Sequence, residues 1–453
     1  MAVTSRPKII VLDDDPTGSQ TVHGCLLLTK WDVPTLRVGL SDPAPLFFVL
    51  TNTRSMPAGH AAILTREACR NLARALERFD RPWILVSRSD STLRGHFPVE
   101  TDVMTEELGP FDAVFLTPEF FEGGRITRGG THYVMQDGRA VPAHETEFAR
   151  DSVFGYSTSY LPDYVAEKTR GRISAEDVRL FDPSEEETVV RERLKALDGN
   201  ACCAVSAETQ GELDRFARLV LEAGAEGKRF LFRSAASLLT SLAGLPAQPF
   251  RPEDMARYVP DERPGLVLVG SHVPMSTRQL ELLVARRGPA ASGPSAMSVG
   301  RIEPLELDVA ALPDRDGSVA DGLVDRLARA HAGGRDVVLS TSRVERRFET
   351  REDRLAFGEE ISRVLMDVVR RAPHTLGFVL SKGGITSNDV LAHGLGLSSA
   401  RVVGQIHAGC SVVLTPHDHR LGSIPVVIFP GNVGDEESLL IVYDRLVGRR
   451  SGG

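Results

Sequence analysis

The stretch Lys8-Ile9-Ile10-Val11-Leu12-Asp13-Asp14-Asp15-Pro16-Thr17-Gly18-Ser19-Gln20 constrains the fold more than any other part of the chain. A short apolar run bounded by charge predicts a buried strand of a parallel sheet. Pro16 and Gly18 force a turn at the end of that strand, the end at which open α/β sheets bind their ligands. Three adjacent carboxylates repel one another, so folding alone gives little reason to place them there. They suit a site that holds a metal ion, a substrate hydroxyl or a proton. The plain alternative is a helix cap made by one of them with Thr17 or Ser19.

The same pattern repeats downstream. Leu36–Leu40 and Leu46–Leu50 read as strands, the second running into Thr51-Asn52-Thr53-Arg54-Ser55. A helix is expected from about residue 58 to residue 79 on its amphipathic spacing. Trp83–Val86 runs into Ser87-Arg88-Ser89-Asp90-Ser91-Thr92-Leu93-Arg94-Gly95-His96, and Ala113–Leu116 into Thr117-Pro118 and a loop over Glu122–His132. Strands alternating with helices imply a doubly wound sheet whose edge collects Asp, Arg, Ser and Thr. Asp137–Pro162 reads as loop, with Glu145 and Glu147 as candidate site residues or surface charge, before strands resume near residues 178–181, 201–205 and 229–232.

At 453 residues the chain exceeds one ordinary core. Pro246, Pro249, Pro252, Pro260 and Pro264 mark a linker over residues 246–264. The expectation is therefore an α/β protein of two domains, residues 1–245 and 265–453. Each would be a mainly parallel sheet flanked by helices, with the active site in the cleft between them. Residues 288–300 read as an exposed connection, and residue 451 onward as a tail.

The net charge of -8 argues against a nucleic-acid partner. Five cysteines without CxxC spacing, two of them (Cys202-Cys203) in an apolar strand, fit a reduced cytoplasmic setting. No signal-like N-terminus and no long apolar run are seen, so no membrane is expected. His417-Asp418-His419 reads as a solvated loop; His96 and His132 lie nearest the motifs.

In the second half, three glycine-bearing turns follow strands: Gly270-Ser271, Ser381-Lys382-Gly383-Gly384-Ile385-Thr386-Ser387, and Pro430-Gly431-Asn432-Val433-Gly434-Asp435. Glycine lets backbone approach a phosphate, and helix N-terminal amides hold its charge. Carboxylates and hydroxyls in one half with phosphate cradles in the other suit phosphoryl transfer with Mg²⁺.

Asp14-Asp15-Pro16-Thr17-Gly18 and Asp90-Ser91-Thr92-Leu93-Arg94-Gly95 resemble the DDxTG and DSTLRG motifs of the four-carbon acid sugar kinase family. Gly270-Ser271 with Thr277-Arg278-Gln279, Gly383-Gly384-Ile385-Thr386-Ser387 and Gly431-Asn432-Val433-Gly434 resemble its later segments, although Ile385 stands where the family usually has Glu. The resemblance implies ATP-dependent phosphorylation of a terminal hydroxyl on a small sugar acid. It puts Asp14, Asp15, Thr17, Arg54, Asp90, Ser91, Thr92, Arg94 and Arg125 on the acid side, with Asp15 toward Mg²⁺. Ser271, Gly383, Gly384, Ile385, Thr386, Ser387, Gly431 and Asn432 fall on the ATP side. A homo-oligomer is compatible with this reading.

On this reading Asp14 or Asp15, helped by Asp90, orients or deprotonates the attacking hydroxyl, and Arg54, Arg94 or Arg125 pairs with the substrate carboxylate. Two rivals remain at this point. Asp13-x-Asp15-x-Thr17 also opens haloacid-dehalogenase-type phosphatases, with Lys382 as their lysine, but the later GDxxxD pair is missing. A non-catalytic sugar-acid-binding regulator has less in its favour.

Overall fold

The computed structural model describes residues 6–136, 138–271, 273–289, 302–313, 317–343, 351–431 and 433–448. The chain divides into two compact units, residues 1–247 and 248–453.

In the N-terminal unit the strands are β1 (Lys8–Asp13), β2 (Leu26–Leu28), β3 (Leu46–Leu50), β4 (Trp83–Arg88) and β5 (Ala113–Thr117). Next come β6 (Arg125–Arg128), β7 (Thr131–Gln136), β8 (Arg139–Pro142), β9 (Arg179–Phe181), β10 (Ala201–Val205) and β11 (Phe230–Ser234). The main sheet has the order β2-β3-β1-β4-β11-β5-β10-β9 with every pairing parallel. Strand β1 is buried along its whole length, as its unbroken apolar run requires. Register does the rest. Asp13 lies opposite Leu50 and Arg88, Arg88 opposite Ser234, and Ser234 opposite Thr117. The polar residues that end each strand thus form one row.

Two segments of this unit depart from the sequence reading. Leu36–Leu40 is not a strand but part of a helix over Val33–Ser41, capped by Asp32, whose carboxylate accepts the Thr35 amide at 3.0 Å. Pro34 in the first turn, with Leu36 and Leu40 buried four residues apart, favours that helix. The Glu122–His132 loop and the residues after it are largely a three-stranded antiparallel sheet, β6-β7-β8. Gly129 and Gly130, at φ 55° and 79°, make the two-residue turn between β6 and β7.

In the C-terminal unit the strands are β12 (Leu266–Val269), β13 (Ile302–Leu307), β14 (Asp336–Thr341), β15 (Val379–Lys382), β16 (Ser399–His407), β17 (Cys410–Leu414) and β18 (Pro425–Phe429). Their order is β13-β14-β12-β15-β18-β17-β16. The first five run parallel, and β17 is antiparallel to both β18 and β16. From β12 the chain passes to β13 at the edge, comes back to β14 beside β12, and then crosses to β15 on the other side of β12. That reversal of winding is where doubly wound sheets open a ligand crevice. The proline-rich stretch is not bare chain: Pro252–Tyr258 forms 3₁₀ turns, and Met255 is buried in the core of this unit. Residues 290–300 and 451–453 lie outside the described residues.

Among the described residues no helix is long and apolar enough to cross a membrane. All five cysteines are buried, and none forms a disulfide.

Candidate functional site

The acidic turn after β1 sorts its three carboxylates into three environments. Asp13 is fully buried. Gly18 packs against its carboxylate so closely that a methyl group there would overlap it. Burial pushes its pKa up to about 8 against the opposing charge of Arg88, 3.5 Å away. Asp14 is nearly as deep and accepts from Arg54 through both oxygens and from Ser89 Oγ at 2.5 Å. Burial works against its charge, but Arg54 first, then Arg233 and Arg88, outweigh burial and hold its pKa below the ordinary range. Asp15 caps the 3₁₀ turn Pro16–Ser19, its Oδ1 accepting the Thr17 amide at 2.8 Å and the Thr17 hydroxyl. The cap that the sequence allowed is therefore real, and Oδ2 of Asp15 is left outside it.

The haloacid-dehalogenase alternative fails at this point. Its nucleophile would be Asp13, a carboxylate with no exposed surface beneath Gly18.

Arg54 joins the cluster. Beyond Asp14, its Nη1 lies 3.5 Å from Asp15 and 3.8 Å from Asp90. Burial alone would lower its pKa, and these three carboxylates reverse that and raise it. Arg94 is also committed: its Nε donates to Asp90 Oδ2 at 2.8 Å, and its Nη1 lies 3.7 Å from Asp151. Asp90 accepts from Thr92 Oγ1 as well. Despite burial, Arg94 and then Arg54 hold Asp90 well below the usual carboxylate range. Arg125 differs. Among the described residues it has no carboxylate within ion-pair distance, and its guanidinium lies near the rings of Phe120 and Phe148, 6.0 and 5.9 Å away, with one bond to the Gly123 carbonyl. Burial lowers its pKa.

The Asp90–Gly95 loop is held from behind by its carbonyls. His132 Nε2 donates to Ser91 O at 2.7 Å, Tyr156 to Thr92 O at 2.8 Å and Tyr164 to Leu93 O at 2.8 Å. Burial drops the His132 pKa to about 4, so the ring is neutral. His96 likewise donates to Met56 O at 2.9 Å. Both histidines position motif backbone.

Sequence reasoning missed Arg233 and Glu100. Arg233 donates to Ser89 Oγ at 2.5 Å, Ser87 Oγ at 2.9 Å and Glu100 at 2.7 Å, so a buried chain of polar contacts runs from Glu100 to Asp14. The available signal was Arg233-Ser234 ending the apolar run of β11, the pattern already seen at β1 and β4.

In the C-terminal unit three turns meet at the switch between β12 and β15. A methyl on Gly270 would meet Thr386 Oγ1, and one on Gly431 would lie 2.9 Å from Ser271 Oγ. Gly383, at φ 124°, faces Thr386 and Ser271. Carbonyls of the last turn are again held from behind: Lys382 donates to Pro430 O at 2.7 Å, Ser276 to Gly431 O at 3.0 Å and Gln279 to Asp435 O at 2.5 Å. Ser387 turns inward, its hydroxyl 3.1 Å from Ser381 O, whereas Ile385 is exposed. Gly384 follows Gly383 and opens the short helix Gly384–Asp389. Asn432 lies outside the described residues.

A family model of a sugar-binding N-terminal domain matches residues 9–242, more than half of the chain, and one of a nucleotide-binding C-terminal domain matches residues 266–439. The chain belongs to the four-carbon acid sugar kinase family. Within reach of this family member is a D-erythronate kinase of Heliobacterium modesticaldum, 28% identical over 286 residues, 60% of this chain and 59% of that one. A D-threonate kinase of Bordetella bronchiseptica is 32% identical over 166 residues, 34% of this chain and 38% of that one. The aligned stretch thus spans less than two thirds of either relative. A solved Salmonella typhimurium structure shares the fold, with a TM-score of 0.67 at 17% identity, over 96% of this chain and 98% of that one.

Proposed function

We propose that this four-carbon acid sugar kinase family member transfers the γ-phosphoryl group of ATP to a terminal hydroxyl of a small sugar acid. The observation that carries the reading is Arg125, a cation without a carboxylate partner among the described residues, beside the acidic row of a sugar-binding unit. A substrate carboxylate supplies the missing partner through a charge-assisted pair. Arg54 and Arg94 already serve Asp14 and Asp90, so they hold the acids in place.

The substrate hydroxyl oxygen attacks the γ-phosphorus, the bond from that phosphorus to the ADP oxygen breaks, and the hydroxyl proton is released. Asp14 has both oxygens occupied, which leaves Asp15 as the carboxylate that orients the hydroxyl. Positioning of this kind supplies most of phosphoryl-transfer catalysis. The glycine turns of the C-terminal unit take the nucleotide phosphates.

Among the described residues no three His, Cys, Asp or Glu side chains form a metal cage. The donors present would suit Mg²⁺ bound largely through phosphate and water, with Asp15 as the carboxylate that would hold it. When bound, Mg²⁺ neutralises charge on the phosphates. The protein would work in the cytoplasm.

The decisive experiment is a coupled assay of ADP formation with Mg²⁺-ATP and a panel of four-carbon acids that includes D-erythronate and D-threonate. Acid-dependent ADP release with a phosphorylated acid as product supports the proposal. Silence across the panel, or phosphate release from sugar phosphates instead, refutes it.

A further inference from the structure

Among the described residues, the turns of the C-terminal unit offer a nucleotide no free positive charge. Ser271, Gly383, Gly384, Thr386 and Gly431 are neutral. The one cation described in these turns, Lys382, is buried with its ammonium on the carbonyls of Pro430 and Val433 and 3.7 Å from the Phe429 ring centroid. A triphosphate brings several negative charges and favours a guanidinium in reach.

Arg343 stands at the right place. It follows β14, the strand next to β12, and Thr341 ends β14 just before it. Its Nη1 donates to Ser271 O at 2.6 Å, its Nη2 to Val269 O at 3.0 Å and its Nε to Thr341 O at 3.1 Å. Nη2 also reaches Thr341 Oγ1 at 3.3 Å. A guanidinium has five N–H donors. Those contacts use four, and the one left belongs to Nη1, the nitrogen already touching the Ser271 peptide. Among the described residues Arg343 has no carboxylate within ion-pair distance; every acceptor it uses is neutral. Burial lowers its pKa, with Glu306 acting the other way without offsetting it, as befits a charge without a close counter-ion.

We infer that Arg343 is a nucleotide-binding residue, whose remaining Nη1 donor and positive charge take a phosphate oxygen of ATP while its other donors keep the ends of β12 and β14 in place. The inference rests on the kinase reading for the identity of the nucleotide, but its test does not depend on turnover. The arginine is pre-set by three carbonyls, so little ordering is lost when phosphate binds.

The test compares wild-type chain, Arg343→Gln and Arg343→Lys by calorimetric titration with Mg²⁺-ATP and, where turnover is found, by separate KM values for ATP and the acid. Thermal midpoints show that each variant is folded. Arg343→Gln should weaken ATP binding by about tenfold or more and leave the acid KM within about twofold. Arg343→Lys cannot reproduce the three carbonyl bonds but keeps the charge, so it should recover much of the ATP affinity. Unchanged ATP binding in Arg343→Gln overturns the inference. So does a Lys variant as impaired as the Gln variant with both KM values raised together, the mark of a collapsed turn. A wild-type chain that binds ATP without phosphorylating any acid defeats the kinase reading alone; one that binds no ATP defeats both.

Discussion

The sheet edge of the N-terminal unit is built from charge, and that of the C-terminal unit from glycine. At the first, Arg54 lies in ion-pair range of Asp14, Asp15 and Asp90, Arg94 in range of Asp90, and nearly every charge is spent on another. At the second, neutral turns crowd so tightly that single methyl groups would collide with their neighbours. Both hold a loop by its carbonyls, with His132, Tyr156 and Tyr164 in one and Lys382, Ser276 and Gln279 in the other. Peptide planarity then turns the following N–H groups the opposite way. The shared device is a backbone fixed from behind. What differs is how each edge treats charge: one arginine in each, Arg125 and Arg343, lacks a carboxylate partner among the described residues. The lesson is that a spent charge organises a site, whereas an unspent one is available to a ligand.

The largest effect should come from glycine replacement. Gly18→Ala puts a methyl into the carboxylate of Asp13, which is enclosed on all sides, so the cost should reach about 3 kcal/mol, the upper end for overpacking. Gly270→Ala meets the Thr386 side chain, overlapping Oγ1, which can rotate away, with Cβ and Cγ2 at 3.2 Å, and should cost about 1 kcal/mol. Denaturant midpoints of the two variants check this; equal losses would break the contrast between a rigid charged edge and a yielding neutral one. Next comes Arg125→Gln, which removes an unspent charge. Loss of a charge-assisted pair of about 2 kcal/mol should raise the acid KM by about 30-fold with the ATP KM unchanged. If Arg94→Gln gave the larger shift in acid KM, spent and unspent arginines would not be distinguishable in this way.

Much of the edge chemistry was legible because polar residues follow apolar runs at β1, β3, β4 and β5, and a parallel sheet aligns such ends. Elements failed where a short run was read without its flanks. Leu36–Leu40 is too brief for its period to be decided, and Asp32 with Pro34 carried the answer. The β6–β7 hairpin was announced by Gly129-Gly130. Strand β16 shows alternate burial, with Ala400, Val402 and Ile406 inward, a period-two pattern that was equally readable. Partner choice was not legible. Nothing local says that Arg54 is taken by Asp14 while Arg125 is not, or that Arg233 reaches Ser89, because those pairings form only when distant strands adopt register.

The shallowest effect at any one pH sharpens the contrast furthest, because Glu119 in one unit and Lys382 in the other are fully buried groups of opposite charge type. Glu119, beyond β5, is fully buried; burial raises its pKa to about 8 despite Thr127 and the Ala207 amide nearby. Its folded pKa exceeds the unfolded value of about 4.3. The stability it contributes is therefore complete below that value and lost as pH rises toward 8. Lys382 behaves in the reverse sense. Burial lowers its pKa to about 7, below an unfolded value of about 10.4. Its contribution is complete above 10.4 and is lost as pH falls toward 7. Each slope is at most about 1.4 kcal/mol per pH unit for one proton. Melting profiles of the full chain should thus show Glu119→Gln gaining on wild type as pH climbs from 5 to about 8. Lys382→Met should instead lose its advantage as pH climbs from about 7 to 10. Parallel difference curves for the two variants would mean that burial does not shift Glu119 and Lys382 in opposite directions, and the contrast between the two edges would then be one of packing alone.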